Sequence, residues 1–205
     1  LIQLNAVSYN QTEKEMQMKA LRFLDQSIQE DYEQLLKIKG EPTAIPSDDQ
    51  VEYLFVRSFY RDIPELGEAR EAIRYYTRQA ATNWKEYGLY SRAAIAWLMY
   101  QNGKKETTQD IVAWFRKTAT DHAEKGMYWA NNRNTFASNR SAIDTHCLIM
   151  ALFQQTDPNQ EQTDRMKQWL LNQKRTQNWE SVPATQNAIY ALLLTGNSWI
   201  EETNV

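Results

Sequence analysis

Three residues on one short stretch offer the chain's most concentrated chemistry. Asp144, His146 and Cys147 bring a carboxylate, an imidazole and a thiol together, the side chains from which zinc sites are built. Ligands on one helix share a metal when they stand three or four residues apart. Asp144 and Cys147 meet that spacing, whereas His146 points elsewhere. No second cluster supplies further ligands at a recognisable spacing, so no metal ligand is assigned. Cys147 then reads as a small apolar thiol inside a packed helix. The other histidine, His122, follows Asp121 near the end of a helical stretch. Sequence neighbours on a helix diverge, so they make a poor general-base pair. A cationic imidazole near a helix C-terminus is the simpler reading. Glu124 and Glu180 are a conceivable carboxylate pair for glycosidic cleavage, but carboxylates near helix starts also answer to the helix dipole. No Gly-rich phosphate loop, Gly-x-Ser-x-Gly elbow or His-Glu-x-x-His occurs. No catalytic residue and no cofactor is assigned.

The elements that would position these residues are written as a repeat. Thr145, Ile149, Ala151, Leu152 and Phe153 align with Thr185, Ile189, Ala191, Leu192 and Leu193. Each copy opens on a polar cap-like residue, runs apolar for about three turns, and stops at Gln155–Thr156 or Thr195–Gly196. Between them lies a polar helical stretch, Pro158 to Gln173, whose apolar stripe is only Met166, Trp169 and Leu170. An earlier stretch aligns with the last one: Asn83-Trp84 with Asn178-Trp179, Ala93 with Ala188, Ala96 with Ala191, and Leu98 with Leu193.

Four helical hairpins follow from this pattern, with apolar-rich helices over about 49–60, 90–101, 142–154 and 184–195. Amphipathic partners are expected over about 67–86, 108–122 and 159–173. The third hairpin's predecessor carries its stripe as Ile111, Trp114 and Phe115, capped by Thr107 or Thr108; the first places Ala69, Ile73, Tyr76 and Ala80 on one stripe. Ahead of them, Thr12 to Lys39 reads as one long helix with Met18, Leu21, Leu24, Ile28, Tyr32 and Leu35 inward. Gly40, Pro42 and Pro46 form a connector, and Ser47-Asp48-Asp49 an N-cap. Gly126 to Arg140 reads as a structured loop with short extended pieces. The domain reading is a leading helix and connector, 1–46, joined to a hairpin array, 47–205. Apolar-rich helices alternating with amphipathic ones suit an all-α fold, an α/α toroid or an arc of one, with the apolar-rich set inside and more buried. Ala96, Ala151 and Ala191 are expected at close helix contacts.

Composition narrows the function classes. A net charge of −3 with no basic run argues against a nucleic-acid surface. No apolar stretch approaches the ~18 residues of a membrane span. One cysteine excludes an internal disulfide. A start at Leu1 fits a fragment of a larger chain.

The runs GMYW (Gly126–Trp129), AIDTHCLIMALF (Ala142–Phe153) and MKQWLLNQKRTQNWESVPATQNAIYALLLTG (Met166–Gly196) resemble the helical thioester-domain region of bacterial alpha-2-macroglobulin-like proteins, especially large forms of the Bacteroides group. VEYLFVRSFYRD (Val51–Asp62) resembles it more weakly. The resemblance implies an α/α-toroid domain within a large extracytoplasmic chain, periplasmic or at the cell envelope. Its neighbours would be β-sandwich domains of that chain, and its possible partners the proteases such proteins trap. The family's thioester motif, Cys-x-Glu-Gln, is not met here: Cys147 is followed by Leu148-Ile149-Met150. The motif either lies upstream or is absent, and no thioester residue is carried over. The expectation is a non-catalytic helical domain of a protease inhibitor. Alternatives are an α/α-barrel enzyme acting on carbohydrate or an isoprenoid, and a helical-repeat scaffold that binds peptides.

Overall fold

A computed structural model describes residues 11–38, 44–132, 141–176, 179 and 181–196. The chain is mostly α-helical and divides into two compact units, Leu1–Glu86 and Tyr87–Val205. Among the described residues no helix is long and apolar enough to cross a membrane.

The first unit packs a long helix, α1 (Gln11–Leu36), on α2 (Asp48–Arg57) and α3 (Ala69–Thr82). The start of α2 follows from its sequence. Ser47 Oγ accepts the Gln50 backbone N–H while the Gln50 side chain accepts that of Ser47. This capping box satisfies two amide donors that helix geometry leaves over, and Asp48 and Asp49 sit on the positive helix end. Helix α2 buries Val51, Tyr53, Leu54 and Phe55, whereas α3 buries the single stripe Ala69, Ala72, Tyr76 and Ala80. Ala72 thus takes the place expected of Ile73, which is half-buried. The inward stripe of α1 is also rotated from expectation. Leu21 and Ile28 are buried, but Met18 and Leu24 are each 37% exposed and the residue between the buried pair is Asp25, 1% exposed.

Asp25 is the centre of a polar network that knits α1, α2 and the turn after α2. Its Oδ1 accepts from the Tyr53 hydroxyl (2.7 Å) and from Arg57 Nε (3.0 Å), and its Oδ2 from the Leu66 amide (3.1 Å). The remaining Arg57 nitrogens donate to the carbonyls of Tyr60 (2.7 Å) and Ile63 (2.8 Å). Burial, and after it the Asp25 carboxylate, hold the Tyr53 phenol above its ordinary pKa. The phenol therefore stays a donor, as the network requires.

The second unit is a layered set: α4 (Leu89–Gln101), α5 (Lys105–Thr118), a β-hairpin of β1 (Thr120–His122) and β2 (Gly126–Tyr128), then α6 (Ala142–Thr156), α7 (Gln160–Thr176) and α8 (Val182–Leu194). Helix α6 packs on α4, α7 and α8, α5 covers α4, and β2 lies against α7. The expected contrast in burial holds for the two central pairs. Helix α4 buries Leu89, Ser91 and the whole run Ala93–Met99, and α6 the run Ile143–Met150 with Leu152 and Phe153. Helix α5 buries one stripe, Thr108, Ile111, Val112 and Phe115, and α7 buries Met166, Trp169 and Leu170.

Four expectations for this second unit need correction. Helix α5 begins two residues before the earlier of the proposed caps, and Thr108 lies inside it, its hydroxyl donating to the Lys104 carbonyl (2.9 Å). Asp121 and His122 belong to β1, not to a helix end. Ala151 is half-buried, whereas Ala96 and Ala191 are 0% and 1% exposed. The fourth apolar-rich helix, α8, buries only Ala184, Ala188 and Ala191. Apolar composition obliges a helix to be covered only where a neighbour is present, and among the described residues α8 packs chiefly on α6.

Candidate functional site

The three residues singled out first, Asp144, His146 and Cys147, do lie in one buried helix, but they face different surroundings. Ser141 caps α6, its hydroxyl accepting the Asp144 amide while Asp144 Oδ2 accepts from the Ser141 amide (3.1 Å) and hydroxyl (2.7 Å). The other carboxylate oxygen accepts from Asn187 Nδ2 of α8 at 2.8 Å. Both oxygens of Asp144 are thereby engaged in holding the start of α6 and tying α8 to it. Tyr90, at the start of α4, feels the same carboxylate. Burial first, and Asp144 second, push its phenol up to about 12.

His146 is fully buried in an aromatic box. The Trp169 ring lies 4.2 Å away, centroid to centroid, and Trp129 5.8 Å away. Trp129 meets Phe115 and Phe153 edge-on and donates from Nε1 to the Phe115 carbonyl (3.0 Å). Imidazole Nε2 stands 3.1 Å from the Met166 carbonyl, an acceptor, so Nε2 carries the proton and Nδ1 is a bare lone pair. Nδ1 has no hydrogen-bond partner. Burial lowers the ring's pKa to about 4, the Met166 bond offsetting only part of the effect. The imidazole is therefore neutral at pH 7 and closed to solvent, a packing group rather than a base for an arriving substrate.

This predicts an acid-sensitive fold. The folded ring refuses a proton until about pH 4, whereas the unfolded ring accepts one near pH 6.5. Stability is thus undiminished above pH 6.5 and falls as the pH drops toward 4, by about 2–3 kcal/mol at pH 4.5. Urea unfolding at pH 7 and pH 4.5 should show this loss in the wild type and a smaller one in His146→Leu. Equal losses in the two proteins would remove His146 as the cause.

Cys147 is 5% exposed and unbridged. Burial, then the Asp144 charge, push its thiol well above the ordinary range. The thiolate, which is both nucleophile and metal ligand, is disfavoured there. Among the described residues no group of three His, Cys, Asp or Glu side chains is placed to hold a metal ion.

His122 closes the β-hairpin turn, its Nδ1 accepting the Glu124 (3.2 Å) and Lys125 (3.3 Å) amides. Helix α7 then grips that turn. Arg165 donates to Asp121 Oδ1 (2.9 Å from Nε) and to the carbonyls of His122 and Ala123. Gln168 donates to the Ala123 and Glu124 carbonyls, and Asn172 to that of Glu124. Glu124 is thus placed by its backbone, on an exposed turn. Its suggested partner, Glu180, lies outside the described residues. What sequence reasoning missed here is the clasp itself. The residues supplying it, Arg165, Gln168 and Asn172, share one face of α7 at three- and four-residue spacing, which is the signal available in advance.

No protein family, curated protein or solved structure matches this chain.

Proposed function

We propose that this chain is a non-catalytic helical domain of a bacterial alpha-2-macroglobulin-like protease trap, with its hairpins arranged as an α/α toroid or part of one. The observation that carries the reading is the division of labour between helices. Helices α4 and α6 are buried on nearly every side while α5 and α7 bury one stripe, as inner and outer helices of a double-layered ring do. The resemblance of Met166–Gly196 to the family's helical region supports the same reading. The domain's role is to pack and make protein contacts beside β-sandwich domains in an extracytoplasmic chain, and its partners include the trapped protease. The Cys147 environment argues that covalent capture is not performed by this segment.

The test rests on Cys147. A thioester-forming cysteine has no free thiol in native protein and takes up methylamine. The expected result is one free thiol, slow to alkylate in the folded chain and fast in denaturant, with no methylamine incorporated. Cys147→Ala should cost about 1 kcal/mol in stability and leave protease binding by the parent chain intact. Methylamine uptake at this segment, or loss of trapping in the alanine variant, would overturn the reading.

A further inference from the structure

Helix α3 turns its buried stripe inward and a line of arginines outward. Arg70, Arg74 and Arg78 are all exposed and stand four residues apart, so they form one row with a rise of about 6 Å between successive members. The sequence holds 26 acidic and 23 basic residues, so carboxylates are not scarce. Yet among the described residues none of these three pairs with one, whereas Arg57, Arg116 and Arg165 each meet an aspartate. Glu71, beside the row, instead accepts from the Tyr32 hydroxyl (3.4 Å), and Arg74 Nε donates to the Arg70 carbonyl of its own helix (3.3 Å). Like charges four apart repel and weaken the helix that carries them. No ion pair among the described residues relieves that repulsion; an anion arriving from outside would.

The form of the surface selects the anion. Along one side of the arginine row runs a parallel one, Ile73, Thr77 and Ala81, also four apart, uncharged and half-buried. Two such rows are the ridge and groove on which another helix packs. On the other side stands the exposed Glu71, whose carboxylate repels a broad polyanion such as a nucleic acid or an anionic membrane but leaves room for a single line of charge. We propose that this face of α3 is a docking surface for an acidic amphipathic helix of a partner. Its carboxylates, at every fourth position, meet the arginine row, and its small or aliphatic side chains meet Ile73, Thr77 and Ala81. Each guanidinium can donate two parallel N–H bonds to one carboxylate, and the common period of the two helices keeps the pairs in register. No run of this sequence places acidic residues at three successive four-residue steps, so a second copy of these residues does not supply the complementary helix. The inference does not depend on the protease-trap reading; it rests on α3 alone.

The 205-residue chain can be tested with a fluorescent, stapled helical peptide carrying three glutamates four residues apart and a leucine next to each. The expected result is saturable binding by anisotropy that weakens as salt is raised. A peptide of the same composition with its glutamates two apart should bind much more weakly, because its charges fall on different faces. The Arg70→Gln/Arg74→Gln/Arg78→Gln variant should weaken binding by about tenfold, as expected when three exposed ion pairs of modest strength are lost together. All three positions are exposed, so circular dichroism and melting of the variant should match the wild type. Lys104→Gln/Lys105→Gln/Lys117→Gln removes the same charge from exposed positions elsewhere and should bind as the wild type does. Absence of saturable binding, equal binding of the two peptides, or binding unaffected by the arginine variant would overturn the proposal. So would tighter binding of polyphosphate or of phosphatidylserine vesicles that the arginine variant abolishes, which would give the row to phosphate groups. Salt-sensitive dimers of the wild type dispersed by the same variant would likewise overturn it, by giving the row to a second copy.

Discussion

Replacing Gly126 by alanine should cost the second unit about 3 kcal/mol or more, the sum of two separable penalties. Gly126 opens β2 with φ +83°, in the left-handed region where a Cβ costs ~1–2 kcal/mol. A Cβ there would also stand 2.2 Å from the Arg165 carbonyl oxygen and 2.8 Å from the Trp169 amide nitrogen. Both are backbone atoms of α7, so no side chain can swing aside, and the hairpin must lift off the helix. Lifting it would loosen Met127 and Trp129, 5% and 1% exposed, and with them the aromatic box around His146. Overpacking of this kind costs ~1–3 kcal/mol beyond the backbone strain. Gly103 supplies the control. Its φ is +69°, but no heavy atom lies within 4 Å of the added carbon. Gly103→Ala should therefore lose only the ~1 kcal/mol of backbone strain. Urea midpoints of the two variants give the comparison, and equal losses would show that the approach of β2 to α7 does not matter. Trp fluorescence should report the same difference, through Trp129 and Trp169.

The second large effect is expected in the first unit. Asp25→Ala should destabilise it by about 3–5 kcal/mol, because the Arg57 guanidinium would be left in a buried position without its counter-charge. Arg57 is 5% and Asp25 1% exposed, so water cannot replace the missing partner without opening the packing of α1 on α2. The Tyr53 hydroxyl and the Leu66 amide would lose their acceptor at the same time. The double variant Asp25→Leu/Arg57→Met should recover much of the loss, since apolar groups of similar volume often replace a buried pair at little net cost. Chemical denaturation followed by far-ultraviolet circular dichroism distinguishes the cases. A double variant no more stable than Asp25→Ala would mean that the Arg57 contacts with the Tyr60 and Ile63 carbonyls contribute more than the ion pair. An Asp25→Ala protein within 1 kcal/mol of the wild type would mean that the pair is not buried in solution.

How much of this was legible beforehand depended on the range of the interactions concerned. Local patterns were sufficient for the helices. The apolar-rich runs of α4 and α6, the stripe Met166–Trp169–Leu170 and the cap at Ser47 depend on residues three or four apart, and each lies where the pattern places it. The repeat likewise marked Ala96 and Ala191, which are buried, but also Ala151, which is only half-buried. Helical periodicity and the internal repeat also made an all-α chain the natural expectation.

Tertiary structure decided what each residue is for. The 3.6-residue period that marks Leu21 and Ile28 as inward assigns Asp25 to the same face without saying that Arg57 will meet it. Asp144, His146 and Cys147 are nearly adjacent in sequence, yet a helix turns each toward a different neighbour: Asn187, Trp169 and a packed interior. The hairpin of Asp121 and His122 could not be distinguished from a helix end because its stability comes from Arg165, Gln168 and Asn172, more than forty residues away. The burial of α8 escaped prediction for the same reason. Sequence determines which surface a helix would bury, but exposure is settled by whether another element arrives to cover it.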